Sequence, residues 1–186
     1  MQISEMYTPG LESPREALYP WYALKVRTNG EAKVKRALEL KDYEVYLPTH
    51  IECRPCADRI KKVEAAFFPG YLFIRFNVNR RLPVLTTPGV ERIVSPNSCI
   101  LPVEESEIAA IQQVTKSGLA ATPWPYLREG DQVAIKFGSL AGLTGLLVKF
   151  RGTERLILSV HMLQRSISVE IDRGWITPTN GTNRLV

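Results

Sequence analysis

The sequence predicts an α+β protein in which a single-sheet domain precedes a small five-stranded β-barrel. Strand and helix patterns alternate over the first two thirds of the chain, whereas five short strand patterns with glycine-containing or polar turns follow. Between these regions, Pro123 and Pro125 flank Trp124, which argues against a helix interior or the centre of a sheet. The chain therefore divides into two parts joined by a proline-rich linker.

These observations predict the domain boundaries. We expect a loose tail over residues 1–18, a first domain over 19–118, a linker over 119–127 and the barrel over 128–180. Because the linker has little apolar surface besides Trp124, the two domains are predicted to be separable units.

The first domain is predicted from alternation and helical periodicity. Alternating apolar residues indicate a strand at 21–27, and apolar residues at helical spacing indicate a helix at 31–41. A polar and basic stretch at 49–62 is typical of a projecting loop or hairpin. A helix after Pro102 presents Ile108, Ile111 and Val114 on one face. The remaining predicted elements are strands at 44–48, 71–76 and 90–94 and a short helix at 79–85.

The second domain is predicted to contain five short strands. Its apolar positions are mostly β-branched and alternate, which favours strands in the free protein over a helical hairpin. The predicted strands lie at 132–137, 145–150, 155–160, 167–171 and 175–177.

Composition and charge limit the classes of function that we expect for this protein. The chain of 186 residues carries a net charge of +5, with +4 over residues 21–62 and +3 over 128–186. Two basic regions around a neutral middle fit a protein that works near nucleic acid, although an ordinary solvated surface fits equally well. No apolar run approaches the length of a membrane span and no signal peptide is visible, so we expect a cytoplasmic protein without membrane contact.

The stretch FFPGYLFIRF places five aromatic residues around a Pro-Gly turn. Phe68 and Tyr71 flank Pro69 and Gly70, so the turn holds the two rings near one another at the edge of the sheet. Rigid aromatic rings at such a corner are typical of protein-binding hot spots. The alternative is that both rings fill the core of their own domain.

Several segments together resemble the NusG family of transcription elongation factors. WYALKVRTNGEAKVKRALE, FFPGYLFIRF and LTTPGVERIV are similar, in this order, to the family's N-terminal domain, and REGDQVAIKFGSLAGLTGLLVKFRG resembles its KOW domain. The resemblance covers roughly residues 21–178 and implies an SH3-like barrel for the second domain. LILSVHMLQRSISVEID resembles the operon-restricted antiterminator paralogues more than the general factor.

The resemblance implies a binding role for the first domain. Phe68, Pro69, Gly70 and Tyr71 match the corner that binds the clamp helices of RNA polymerase in the family. Through this contact the family suppresses pausing or termination. This chain is therefore expected to be a transcription elongation or antitermination factor, without a cofactor and acting as a monomer.

A second set of residues matches the region that approaches DNA in the family. Arg80, Arg81, Thr86 and Thr87 correspond to positions near the upstream DNA and the non-template strand of the transcription bubble. Arginine and threonine side chains suit contacts with phosphates and base edges. Thr86 and Thr87 replace an Asn-Thr pair found in some members. The replacement removes the asparagine amide, which can form two hydrogen bonds with one base. A helix cap and a solvated face are the structural alternative for these residues.

The resemblance also implies a partner site on the KOW domain. Leu140 and Leu143 lie in its glycine-containing loop, and Leu143 matches a position where general members often carry an aromatic residue. That residue contacts termination factor Rho or a small-subunit ribosomal protein in the family. An aliphatic residue offers less area, which favours the ribosomal protein over Rho. Alternatively, Leu143 caps the barrel.

Two other function classes account for part of the sequence. KOW units also occur in ribosomal proteins, so a ribosome-associated or RNA-binding protein explains the barrel and the basic charge but not the aromatic corner. Cys53 and Cys56 form a Cys-x-x-Cys motif, but no second such pair supplies the four ligands of a zinc site. The sequence contains no recognisable catalytic motif, so neither a metal site nor an enzyme is expected.

Overall fold

A computed structural model describes residues 19–56, 59–96, 99–124, 131–150 and 153–178. The predicted tail over 1–18 and linker residues 125–127 lie outside this range.

The helices are α1 (Glu31–Glu39), α2 (Leu82–Leu85) and α3 (Glu105–Ser117). The first six strands are β1 (Trp21–Val26), β2 (Glu44–Tyr46), β3 (Thr49–Cys56), β4 (Arg59–Ala66), β5 (Tyr71–Arg75) and β6 (Val90–Ile93). The others are β7 (Ala121–Trp124), β8 (Asp131–Ile135), β9 (Thr144–Phe150), β10 (Thr153–Val160), β11 (Arg165–Glu170) and β12 (Ile176–Pro178).

The first domain is built on a four-stranded antiparallel sheet in the order β2-β5-β1-β6. Strand β1 is central, and both of its faces are buried. On one face, Leu24 packs in a cluster with Val34 and Leu38 of α1. On the other face, Trp21 and Ala23 join a cluster that contains the apolar side of α3. The sheet is thus sandwiched between layers, as the α+β prediction requires.

Helix α3 is fixed on the sheet by polar contacts at both ends. The guanidinium of Arg75 on β5 forms an ion pair with Glu105 in the first turn, at 2.5 Å. Near the C-terminal end, the hydroxyls of Tyr46 and Thr115 are 3.2 Å apart, and burial raises the pKa of Tyr46. Gly118 then ends the helix in the left-handed conformation. Ile108, Ile111 and Val114 are buried, as the sequence predicts.

The second domain contains the five predicted strands and a sixth. Its sheet has the order β12-β8-β9-β10-β11-β7, and its neighbouring strands are antiparallel. Strand β7 lies inside the predicted linker, so residues 121–124 differ from the prediction. They pair with β11, with Thr122 opposite Ser168 and Trp124 opposite Ser166. Pro123 is accommodated because β7 is at the sheet edge, where a missing backbone donor costs little.

Strands β3 and β4 form a two-stranded ribbon, separate from the other two sheets. The sequence predicts a polar loop or hairpin over residues 49–62. A hairpin is present, and its regular pairing extends to Ala66. Pairing is continuous from Thr49 opposite Ala66 to Cys56 opposite Arg59. At the root, the Phe67 amide donates to the Pro48 carbonyl at 2.9 Å, and the rings of His50 and Phe67 lie 4.7 Å apart.

The two domains pack against each other. One continuous buried cluster includes Trp21 and Phe73 from the first sheet, Ile111 from α3, and Leu156 and Ile167 from the second sheet. The chain therefore holds its two domains together through apolar surface. No helix in the described part of the chain is long and apolar enough to cross a bilayer.

Candidate functional site: the aromatic corner and the α3–barrel interface

The aromatic corner is a closed turn with its backbone fixed from two sides. The Tyr71 amide donates to the Phe68 carbonyl at 3.0 Å, and the Val26 amide donates to the Gly70 carbonyl at 2.9 Å. The Gly70 amide donates to the buried carboxylate of Glu31 at 2.7 Å. Since Glu31 opens α1, this bond joins the corner to the layer on the far side of the sheet.

Gly70 is required at this corner for both conformation and space. Its φ is +80°, a left-handed value that side chains other than glycine rarely adopt. A Cβ atom at this position would lie 2.5 Å from Nζ of Lys25 and 3.1 Å from Oγ1 of Thr28. A larger residue would therefore strain the backbone of the turn and displace the Lys25 ammonium.

The two rings of the corner have different environments. Phe68 is 1% exposed and meets the Phe73 ring edge-on, with centroids 6.1 Å apart. Tyr71 is only half-buried. Nζ of Lys25 lies 4.5 Å from the centroid of its ring, and the guanidinium of Arg165, from β11, lies 5.5 Å from it. Phe68 thus belongs to the core, whereas Tyr71 lies where the first domain meets the barrel.

Helix α3 also contacts the barrel through polar side chains. The Glu107 carboxylate forms a short contact with Nδ1 of His161 and accepts a bond from the His161 amide at 3.2 Å. Gln113 donates through Nε2 to the carbonyls of Ser139 and Ala141, at 3.0 and 3.1 Å. We call these contacts, together with the Arg165–Tyr71 contact, the α3–barrel interface.

The predicted partner-binding loop of the barrel lies in the same interface. Leu140 is fully buried and Leu143 is 9% exposed, and both belong to the cluster shared by the domains. The Leu143 amide donates to the Leu140 carbonyl at 3.1 Å, which closes the loop between them. Beside Leu143, a cleft of about 900 Å³ lies between α3 and the barrel and includes Glu107 and His161 in its lining. Each of the two predicted protein-binding sites therefore contacts the other domain.

The four residues predicted to bind nucleic acid fall into two pairs with different environments. Arg80 and Arg81 are exposed. Thr86 and Thr87 instead donate their hydroxyls to the carbonyls of Leu82 and Pro83, both at 2.9 Å, as in a helix cap. Thr87 is also buried, at 2% exposure. The arginines are thus available to a ligand, whereas both threonine hydroxyls serve the turn.

Several residues of the site were not identified from the sequence. Lys41 donates to the Thr87 hydroxyl at 2.7 Å and to the Pro83 carbonyl at 2.8 Å, so it fixes the turn that follows α2. Gln113, His161 and Arg165 join the domains. These residues are polar and distant in sequence from their partners, and no local periodicity marks such pairs.

Within the described residues, no group of three or more His, Cys, Asp or Glu side chains is arranged to hold a metal ion. Cys99 is free and exposed. His50 lies at the ribbon root, where burial lowers the pKa of its imidazole.

Comparisons with known protein sequences point to one family. The family model "Transcription termination factor nusG" matches residues 19–112. The chain is 27% identical over 165 residues to the transcription termination/antitermination protein NusG of Helicobacter pylori strain J99, covering 81% of this chain and 93% of that protein. It is 25% identical over 179 residues to the Vibrio vulnificus protein of the same name, covering 89% and 97%.

A solved structure shows the same fold. The structure titled "Domain interaction in Thermotoga maritima NusG" matches with a TM-score of 0.55 and 19% identity, over 89% of this chain and 99% of that one. The fold is therefore one that a solved structure shares, and the family model covers half of the chain. The chain belongs to the NusG family.

Proposed function

We propose that this protein is a transcription elongation or antitermination factor that binds RNA polymerase through the aromatic corner. The observation that carries the proposal is the corner itself, where Gly70 and Glu31 hold a rigid turn that presents Tyr71 at the domain surface. A tyrosine offers a large contact area and loses little rotamer entropy on binding. The polymerase clamp helices are the proposed occupant, and Phe68 supports the corner from within the core.

The α3–barrel interface supports a closed resting arrangement in this proposal. The barrel contacts Tyr71 through Arg165, and α3 contacts the loop that contains Leu140 and Leu143. Each proposed partner site is thus covered by the other domain. Binding of polymerase and binding of a barrel partner, proposed to be a small-subunit ribosomal protein, both require the interface to open. By linkage, each partner raises the affinity for the other.

The exposed arginines extend the proposed contact surface towards nucleic acid. Arg80 and Arg81 precede α2 and carry charge that suits the phosphates of upstream or non-template DNA. Since the threonine hydroxyls are used within the turn, the proposed contact is with the phosphate backbone instead of base edges. Such a factor works in the cytoplasm, wherever polymerase is transcribing.

A purified transcription system tests the proposed function. Adding the full chain to core RNA polymerase on a pause-prone template is expected to shorten the pause lifetime, because clamp binding favours the elongating state over the paused state. The chain should also copurify with core polymerase after RNase treatment. Copurification with ribosomal material that RNase abolishes, together with unchanged pausing, would instead support a ribosome-associated protein.

Opening the interface is expected to increase the affinity for polymerase. In the opened variant, Glu107→Ala/Gln113→Ala, the corner and the barrel surface remain intact while the polar contacts of α3 are lost. We expect tighter binding to core polymerase, by up to about 1,000-fold, because the four lost hydrogen bonds had each contributed about 1 kcal/mol to the closed state. The measurement is a titration of fluorescently labelled core polymerase.

The matched control for the opened variant removes an ion pair on the opposite layer. Lys35 and Glu39 on α1 lie 3.7 Å apart, and α1 packs on the face of the sheet away from α3. Lys35→Ala/Glu39→Ala should bind polymerase as the unchanged protein does. Equal affinities for all three proteins would show that the interface does not limit polymerase binding.

A further inference from the structure

Two positively charged residues lie beside Tyr71 on the same face of the first sheet. In the register, Lys25 on β1 is directly opposite Tyr71 on β5 and also directly opposite Arg92 on β6. Residues directly opposite one another in neighbouring strands share a face of the sheet. Tyr71, Lys25 and Arg92 therefore form one row across β5, β1 and β6, which we call the cationic row.

The charges of the cationic row are not balanced by acidic residues of this protein. Among the residues that the structure describes, no carboxylate forms an ion pair with Lys25 or Arg92. In the closed arrangement the barrel even adds a cation, because Arg165 contacts the same Tyr71 ring as Lys25 does. The two cations are no more than about 10 Å apart, about one Debye length at moderate ionic strength. Their repulsion therefore opposes closure.

Opening of the α3–barrel interface uncovers the cationic row without dismantling it. Ala23, two residues before Lys25 on β1, belongs to the cluster that contains the apolar side of α3, so the row lies on that face of the sheet. Opening removes Arg165, whereas strand pairing within the first sheet holds Lys25 opposite Tyr71. Tyr71 and Lys25 are half-buried in the closed arrangement, and Arg92 is exposed. The uncovered surface thus combines one aromatic ring with two fixed positive charges.

The spacing of the cationic row matches the spacing of turns along an α-helix. Neighbouring strands are about 4.8 Å apart, and successive helical turns are about 5.4 Å apart. A helix that crosses the strands with one residue on Tyr71 therefore places its next two turns over Lys25 and Arg92. Acidic residues about three or four and about seven positions from the Tyr71 contact would neutralise both charges.

We infer that the partner helix bound at the aromatic corner carries acidic residues that pair with Lys25 and Arg92. This inference rests on the proposed function, in which a polymerase clamp helix occupies the corner, and it specifies the charge of that helix. Phosphates of DNA are also anionic, but Tyr71 packs against the apolar cluster shared by the domains, and such a surface suits a protein helix. The cationic row selects an acidic helix because a basic helix would place like charges together.

The test measures the affinity of the opened variant for fluorescently labelled core polymerase at several salt concentrations. Lys25→Met/Arg92→Met retains an apolar stem at each position and removes both charges. We expect about tenfold weaker binding, since an exposed ion pair contributes up to several-fold, and the difference should shrink as salt rises. The matched control, Lys33→Met/Arg36→Met, removes one lysine and one arginine from exposed positions of α1, on the other face of the sheet. Its affinity should stay within twofold.

Single variants of Lys25 determine the sign of the partner's charge. In the opened background, Lys25→Glu should weaken binding more than Lys25→Met does, whereas Lys25→Arg should retain the affinity. Tighter binding of Lys25→Glu would show a basic partner and overturn the inference. Equal losses in Lys25→Met/Arg92→Met and in the α1 control would also overturn it, since the effect would then follow net charge alone. So would loss of binding to a free 30-base-pair DNA duplex with unchanged polymerase affinity, which would assign the row to DNA.

Tyr71→Ala in the same background separates this inference from the proposed function. If Tyr71→Ala weakens polymerase binding and the charge variants do not, the corner binds polymerase and the inference about acidic residues is wrong. If the opened variant does not bind core polymerase at all, the proposed function is wrong, and the inference fails with it.

Discussion

Replacing Tyr71 by Ala in the opened variant is expected to weaken binding to core RNA polymerase by about 2–4 kcal/mol, or roughly 30- to 1,000-fold. The half-buried Tyr71 ring is the part of the corner that reaches the domain surface, so its loss removes the proposed anchor. The opened background is needed because Tyr71→Ala alone also removes the Arg165 contact. In the closed protein these two effects would oppose each other.

Leu82→Ala in the same background is the control for this measurement. Leu82 is a large apolar residue with 71% exposure, and it lies on α2 outside the corner. Its loss should leave polymerase affinity within twofold of the opened variant. If Tyr71→Ala retains full affinity while Leu82→Ala loses it, polymerase binds beside α2 and the corner is a structural turn.

Replacing Phe68 by Ala is expected to lower the free energy of unfolding by about 3–5 kcal/mol. Phe68 is 1% exposed and packs against Phe73, so truncation leaves a cavity in the core beneath the corner. Urea unfolding followed by tryptophan fluorescence measures the change. This effect concerns stability and is separate from the loss of affinity expected for Tyr71→Ala.

Phe137→Ala provides the same chemical change at an exposed position. Phe137 is 63% exposed and follows β8 in the barrel. Its replacement should alter the free energy of unfolding by no more than about 0.5 kcal/mol. Comparable values for the two variants would mean that Phe68 leaves the core in solution and is itself available to a partner.

Regular apolar periodicity explains which elements were predictable from sequence. Strand β1 and helix α3 were identified because their apolar residues recur at strand and helical spacing, and both elements are largely buried. Strand β7 was missed because Pro123 argues against a central strand, whereas an edge position tolerates it. The regular pairing of the β3–β4 ribbon was not evident because THIECRPC and RIKKVEAA have no alternating apolar face.

The candidate site was only partly predictable from the sequence, because some of its contacts join residues that are distant in the chain. FFPGYLFIRF is a local motif, so the turn around Gly70 could be inferred from residue types. The α3–barrel interface depends on Gln113 meeting backbone carbonyls of the loop around Leu140, which tertiary packing alone determines. The hydrogen bond from Lys41 to the Thr87 hydroxyl likewise joins residues that are distant in sequence. Such contacts leave no periodic signal in the chain.

The position of β7 determines how far the barrel can travel. Only residues 118–120 separate the end of α3 from β7, a tether that spans about 10 Å when fully extended. With β7 paired to β11, the barrel can pivot around Gly118 but must stay beside the surface it uncovers. If β7 detaches, residues 118–130 become the tether, with a reach of about 45 Å. A single edge strand therefore determines whether a partner held by the barrel stays beside the polymerase-binding surface or is carried well away from it.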